Sequence, residues 1–196
     1  MRTPAFTRIE VDARRSALIE ATARVLARDG ADASVRAIAA EAGVSPGLVT
    51  HHFGGVDALI AATYIQVDAT VGAAMAAAVD AAGPEPRARL LAYVSASFAP
   101  PIAEPALLGT WIAFWSLARR RAEIADLHAR HYAAYRAALE TLLAACGLAE
   151  GERRRGAIGL AALIDGLWLE LCLSPGLFTP EDARTIAERQ IAAALG

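Results

Sequence analysis

No lysine occurs in this chain, and no asparagine. All of the positive charge is arginine, and it does not outweigh the carboxylates, since the formal net charge is −2. That balance excludes a chain that binds polyanions over its whole surface, so any nucleic-acid contact must be local. Cysteine is nearly absent. Cys146 and Cys172 stand in apolar, helical surroundings and read as buried reduced thiols, which excludes a disulfide scaffold. Strand signals are missing too, with no sustained period-2 alternation and few Thr, Tyr or Val runs. The most apolar stretch, residues 157–173, is interrupted by Asp165 and Glu170, so no membrane span is expected. Arg2 and Arg8 are followed by no apolar segment of the kind a secretory signal requires, and the expected location is cytoplasmic. There is no G-x-G-x-x-G, no P-loop and no H-E-x-x-H, and no cofactor is expected.

Hydrophobic residues make up 56% of the 196 positions, and much of that is alanine, the best helix former. The reading is all-α, with about nine helices. The chain organises itself around residues 34–53, SVRAIAAEAGVSPGLVTHHF. Ser34 is placed to N-cap a short helix, Ile38 to face a core, and small Ala39 to let a second helix cross closely. Gly43 supplies the left-handed backbone that ends the first helix, and Val44 fills the corner. Ser45 is placed to cap the second helix, with Pro46 at its first position and Val49 on its inner face. This is the spacing of a helix-turn-helix. Arg36, Thr50, His51 and His52 would then lie on the outer side.

Two other readings compete. Residues 43–47, GVSPG, fit G-x-S-x-G, which would make Ser45 the nucleophile of a small helical hydrolase. That elbow needs a strand before the serine, and the preceding residues are alanine-rich and helical in character. The third reading is a helical interaction protein without DNA affinity.

Along the chain, residues 1–9 read as a loose arm, with Pro4 discouraging helix, and residues 10–29 as the first amphipathic helix, Leu18, Thr22, Val25 and Leu26 inward and Arg14, Arg15 and Arg24 outward. A long helix follows from Asp57 to about Ala82, and the domain boundary is placed at its start, giving an N-terminal three-helix domain, 1–55, and a C-terminal helical domain, 56–196. Residues 83–86, GPEP, Pro100-Pro101 and residues 174–176, SPG, break the remainder into further helices.

Three short helices, a long connecting helix and an all-α remainder resemble the TetR family of transcriptional repressors. The local match is SVRAIAAEAGVSPGLVTHHFGGVDAL, and GTWIAFWSLARR with LHARHYAAYRAALETLLA is similar to the choline-responsive, BetI-like subgroup. The resemblance implies a regulator and not an enzyme: a homodimer whose two recognition helices enter successive major grooves of a double-stranded, palindromic operator. Half-sites of that kind lie about 34–36 Å apart. It also implies that Ser34 holds phosphate, that Arg36 reaches a base edge, and that Ser45, Gly47, Thr50, His51 and His52 lie on or beside the recognition surface. One departure is Val56, which stands where the family often has a phosphate-contacting lysine.

Aromatics are scarce, at 6%, yet Trp111, Phe114 and Trp115 fall within two turns, and Trp168 follows Asp165 at i+3. Aromatic faces with one acid make a site for an organic cation. Trp111, Phe114, Trp115, Asp165 and Trp168 are therefore the expected effector residues, with Tyr93 and Phe98 outside them, and the subgroup resemblance makes a choline-like quaternary ammonium the expected small-molecule effector. Gly156, Gly159, Ala162 and Gly166 are small residues on one helix that permit close helix approach. By resemblance they, with the last helix, form a four-helix dimer interface. His128 and His131 stand at i,i+3 near Asp126, but lone imidazoles on a partly exposed helix need no metal, and none is expected.

Overall fold

Nine α-helices account for most of the described residues, which in this computed structural model are 4–174 and 176–195, with side chains from residue 11. They are α1 (Pro4–Asp29), α2 (Val35–Glu41), α3 (Pro46–Phe53), α4 (Val56–Ala81), α5 (Pro86–Ala96), α6 (Pro105–Ala118), α7 (Ala122–Ala145), α8 (Glu150–Leu173) and α9 (Pro180–Leu195). A short 3-10 turn, Gly30–Asp32, joins α1 to the loop before α2. No strand forms among the described residues.

The expected loose arm is corrected for residues 4–9, which are helical. Pro4 opens α1 instead of preventing it, because in the first turn its missing N–H has no intrahelical acceptor to lose. Arg2 lies outside the described residues.

The chain divides into two compact units. The first is Met1–Val67 with Gly109–Leu127; the second is Asp68–Leu108 with His128–Gly196. In the first unit Leu18, Val25 and Leu26 of α1, Ile38 of α2, Val49 of α3, Leu59 and Ile60 of α4, and Phe114 of α6 are buried. Thr22 is also buried and returns its hydroxyl to Leu18 O at 2.7 Å, so the core contains no unsatisfied hydroxyl there. Gly109 brings α6 against the backbone of α1, and Thr110 Oγ1 donates to Ala23 O at 3.1 Å. In the second unit α9 packs on α5 and α8, burying Leu90, Val94, Ala157, Leu160, Ile164, Ala183, Ala187 and Ile191.

Two helices overturn the expectation that no apolar span is long enough to cross a membrane. By length and composition α4 and α8 both are, with mean hydropathies of 1.3 and 1.7. Asp165 and Glu170 do not outweigh the leucine, isoleucine and alanine around them. In each unit these helices turn apolar residues into a core, Leu59, Ile60 and Tyr64 from α4 and Leu160, Ile164 and Trp168 from α8.

Candidate functional site

The α2–α3 corner is built by local chemistry. Ser34 has extended backbone, and its Oγ accepts from Ala37 N at 3.2 Å, which satisfies one free amide of α2. Gly43 has φ +66, and the helix closes with Val44 N to Ala39 O at 2.9 Å and Gly43 N to Ala40 O at 3.1 Å. This pair of bonds is a Schellman motif, and it depends on a residue free to take the left-handed region. Ser45 stands at the N-cap position of α3, but its side chain makes no capping bond, which corrects the expectation. Pro46 removes one amide, and Leu48 N is taken by the Ser45 carbonyl at 3.0 Å, so Ser45 Oγ is left outward. The helix before Ser45 also rules out a nucleophile elbow, which needs a strand there.

Ser34, Arg36, Ser45, Gly47, Thr50 and His51 are all exposed around this corner. His52 is different. It is half-buried, its Nε2 is shut off from solvent without a hydrogen-bond partner, and it lines a cavity of about 150 Å³ with Arg14, Ala17, Leu18, Ala42, Val44 and Leu48. Burial, then the charges of His51, Arg14 and Arg15, hold its pKa below the ordinary imidazole value. Two outward arginines of the sequence reading prove to be structural. Arg24 Nε meets Glu41 Oε1 at 2.7 Å, tying α1 to α2. Arg15 donates from NH1 to the His52 carbonyl, and its guanidinium lies 4.1 Å from the centre of the Phe53 ring.

Of the expected effector residues, Trp111 and Phe114 lie in the first unit. They are buried with Tyr64, at ring separations of 5.3 Å for Tyr64–Trp111, 4.7 Å for Tyr64–Phe114 and 5.7 Å for Trp111–Phe114. Trp115 is half-buried in the same unit.

Asp165 and Trp168 lie in the second unit, where α7 provides partners that spacing alone did not single out. The Tyr132 hydroxyl donates to Asp165 Oδ2 at 2.8 Å. Trp168 is buried and donates Nε1–H to Ser97 O at 2.8 Å. Tyr135 stacks between Tyr93 and His131, at 5.9 Å and 6.1 Å, and meets Tyr132 edge-on at 6.2 Å. His131 Nδ1 in turn lies 2.5 Å from Asp68 Oδ1. Burial raises the Asp165 pKa above the ordinary aspartate value, against the opposing effects of the Tyr132 hydrogen bond and of the neighbouring His131 and Arg136. Burial pushes the Tyr93 hydroxyl up to about 12 and Tyr135 well above its usual range, so both phenols stay neutral. The arrangement offers aromatic faces around one withdrawn carboxylate. The signal in the sequence is the helical spacing of His128, His131, Tyr132 and Tyr135 on α7, which puts rings of two kinds on neighbouring turns without stating what they face. Among the described residues no group of three or more His, Cys, Asp or Glu is placed to hold a metal.

Gly156 has a use inside the second unit, since a Cβ there would lie 3.1 Å from Leu143 Cδ1 and 3.4 Å from Leu148 Cδ2. Gly159, Ala162 and Gly166 are exposed on α8 beside the exposed Ile158, Leu169 and Leu173.

Residues 18–63 match the family model for bacterial regulatory proteins of the tetR family, and residues 86–196 match that for the C-terminal region of BetI-type transcriptional repressors. The HTH-type transcriptional regulator BetI of Burkholderia thailandensis is 37% identical over 181 residues, 91% of each chain. The crystal structure of a transcriptional regulator from Pseudomonas aeruginosa PAO1 superposes with a TM-score of 0.85 at 40% identity, covering 97% of this chain and 94% of that one. A transcriptional regulator from Saccharomonospora viridis, solved in complex with choline, shares the fold with a TM-score of 0.82 at 19% identity, covering 92% and 96% of the two chains.

Proposed function

The chain belongs to the tetR family of transcriptional regulators, with a BetI-type C-terminal region, and from that premise we propose that it is a homodimeric cytoplasmic repressor of a palindromic operator, released by a small organic cation. In this reading Ser34 and Arg36 of the α2 side and Ser45, Gly47, Thr50 and His51 of the α3 side meet DNA. Arg36 at a guanine edge contributes about 1–3 kcal/mol of discrimination.

The observation that carries the effector assignment is the half-buried Asp165 carboxylate, bonded to the Tyr132 hydroxyl beside the stacked Tyr93–Tyr135 pair, with Trp168 at i+3 on the same helix. A quaternary ammonium offers no hydrogen-bond donor, so it is recognised by ring faces and by net negative charge. A choline-like cation fits both requirements, and the choline complex of the Saccharomonospora viridis relative supports the class. Trp111, Phe114 and Trp115 remain part of the proposal as the aromatic set of the first unit. A second copy of the chain is assigned to the exposed small and apolar face of α8, at Gly159, Ala162 and Gly166, where helices can approach closely.

The test is fluorescence anisotropy with DNA from directly upstream of the gene, with and without choline, at stated salt. Specific binding weakened by choline supports repressor and effector together. Specific binding indifferent to choline keeps the repressor and removes the effector class. No preference over random DNA at neighbouring promoters overturns the operator assignment.

A further inference from the structure

We propose that Arg15 is a positioning residue for operator reading: from α1 it clasps the C-terminal end of α3 and sets the pose in which that helix presents its side chains. The inference rests on the DNA-binding reading above.

Helix α3 is only eight residues long, Pro46–Phe53, and it buries one residue, Val49. Leu48, His52 and Phe53 are only half-buried, so how far the helix can tilt and roll depends on what holds its far end. Its N-terminal end is fixed by the turn at Gly43–Ser45. At the other end Gly54 N closes on Thr50 O at 2.8 Å, which leaves later carbonyls for outside donors. Arg15 NH1 donates to one of these, the His52 carbonyl, while Cζ of the same guanidinium lies over the Phe53 ring, 4.1 Å from its centre. A cation is favoured at the negative end of a helix dipole, and a planar guanidinium can donate in its plane while it stacks through its face. An ammonium does the first without the second. Arg15 is half-buried and gives NH1 to the His52 carbonyl, so in this proposal its contribution to DNA binding runs through α3, and the salt dependence below separates that from a phosphate contact by its remaining N–H groups.

A positioning arginine and a phosphate-binding arginine give opposite results. A duplex is selected by the wild-type protein from a random-sequence pool, and affinities for it and for a scrambled duplex are measured over a range of salt for wild type, Arg15→Lys, Arg15→Ala and Phe53→Leu. Amide hydrogen exchange over residues 46–54 is followed without DNA. The expected result is that both Arg15 variants exchange faster over 46–54 and lose about tenfold in the selected-to-scrambled affinity ratio, a change of about 1.4 kcal/mol. The slope of log affinity against log salt stays that of the wild type, and lysine does not rescue. Phe53→Leu, which keeps the chain's charge, shifts in the same direction by less. Three results would overturn the inference: a salt slope shallower by about one unit in Arg15→Ala with recovery in Arg15→Lys, as a phosphate contact requires; an unchanged affinity ratio; or unchanged exchange over 46–54. If Arg15→Ala fails to fold, Arg15→Lys and Phe53→Leu decide by the same readouts. A pool from which the wild type enriches no sequence overturns the operator reading itself, a failure distinct from the others.

Discussion

A Cβ placed on Gly109 would lie 3.0 Å from the carbonyl oxygen of Ala27 and 3.4 Å from its Cα. The neighbour is helix backbone, which cannot step aside as a side-chain tip can. The absence of a side chain at Gly109 therefore sets how closely α6 lies on α1, and Thr110 fixes the register by donating to Ala23 O.

Gly109→Val is accordingly expected to destabilise the protein by about 1–3 kcal/mol, the usual cost of overpacking. Urea denaturation measures it. A midpoint equal to the wild type would mean that the two helices part at no cost.

Gly166→Ala tests the opposite case. Nothing lies within 4 Å of a Cβ there, so an uncovered α8 should gain about 0.5–1 kcal/mol from the better helix former. If a second copy packs closely on this face, the added methyl group weakens association instead. Sedimentation equilibrium beside thermal melting separates the two, and the expected outcome is weaker dimerisation.

Asp165→Asn is expected to abolish the response to choline while leaving operator affinity unchanged, read by anisotropy. It also carries a pH signature. The folded-state pKa of Asp165 is raised by burial, so in the interval between the ordinary aspartate value and the raised value the folded state holds the extra proton. Stability then falls as pH rises through that interval. The asparagine variant lacks this term, so its denaturation midpoint should gain on the wild type from acid towards neutral pH. A constant difference would show that Asp165 is well solvated. By the same sign, choline favours the ionised carboxylate, and its affinity should fall as the solution is acidified.

Val56→Arg restores a cation where the family often has a lysine, at the start of α4. The slope of log affinity against log salt should steepen by about one unit. The positive charge faces the positive end of the α4 dipole, which costs about 0.3–1 kcal/mol of stability. Salt titration checks the first and a thermal melt the second, and an unchanged slope would place residue 56 away from phosphate.

The legible parts of this chain were those whose causes are local. Ser34 caps α2 through an amide three residues away, Gly43 meets its left-handed turn by itself, and Pro46 starts α3 without help from elsewhere. Nearest-neighbour chemistry was enough for these, as it was for the inward face of α1 at Leu18, Thr22, Val25 and Leu26. Ser45 shows the limit even at this scale, since whether its hydroxyl or its carbonyl meets the first turn of α3 turns on geometry and not on residue type.

By itself the sequence determined an all-helical chain, the helix-turn-helix and the family to which it belongs. Tertiary structure decided which polar groups find each other. Tyr132 reaches Asp165 across 33 positions, and Arg15 reaches His52 across 37. It also decided that Gly156 makes room for Leu143, that Gly109 makes room for α1, and that the aromatics around Asp165 come from α5, α7 and α8. Helical periodicity states which face of a helix is apolar. It does not state which other face will cover it, because that depends on how all the helices share one limited core, and no single stretch of chain carries that information.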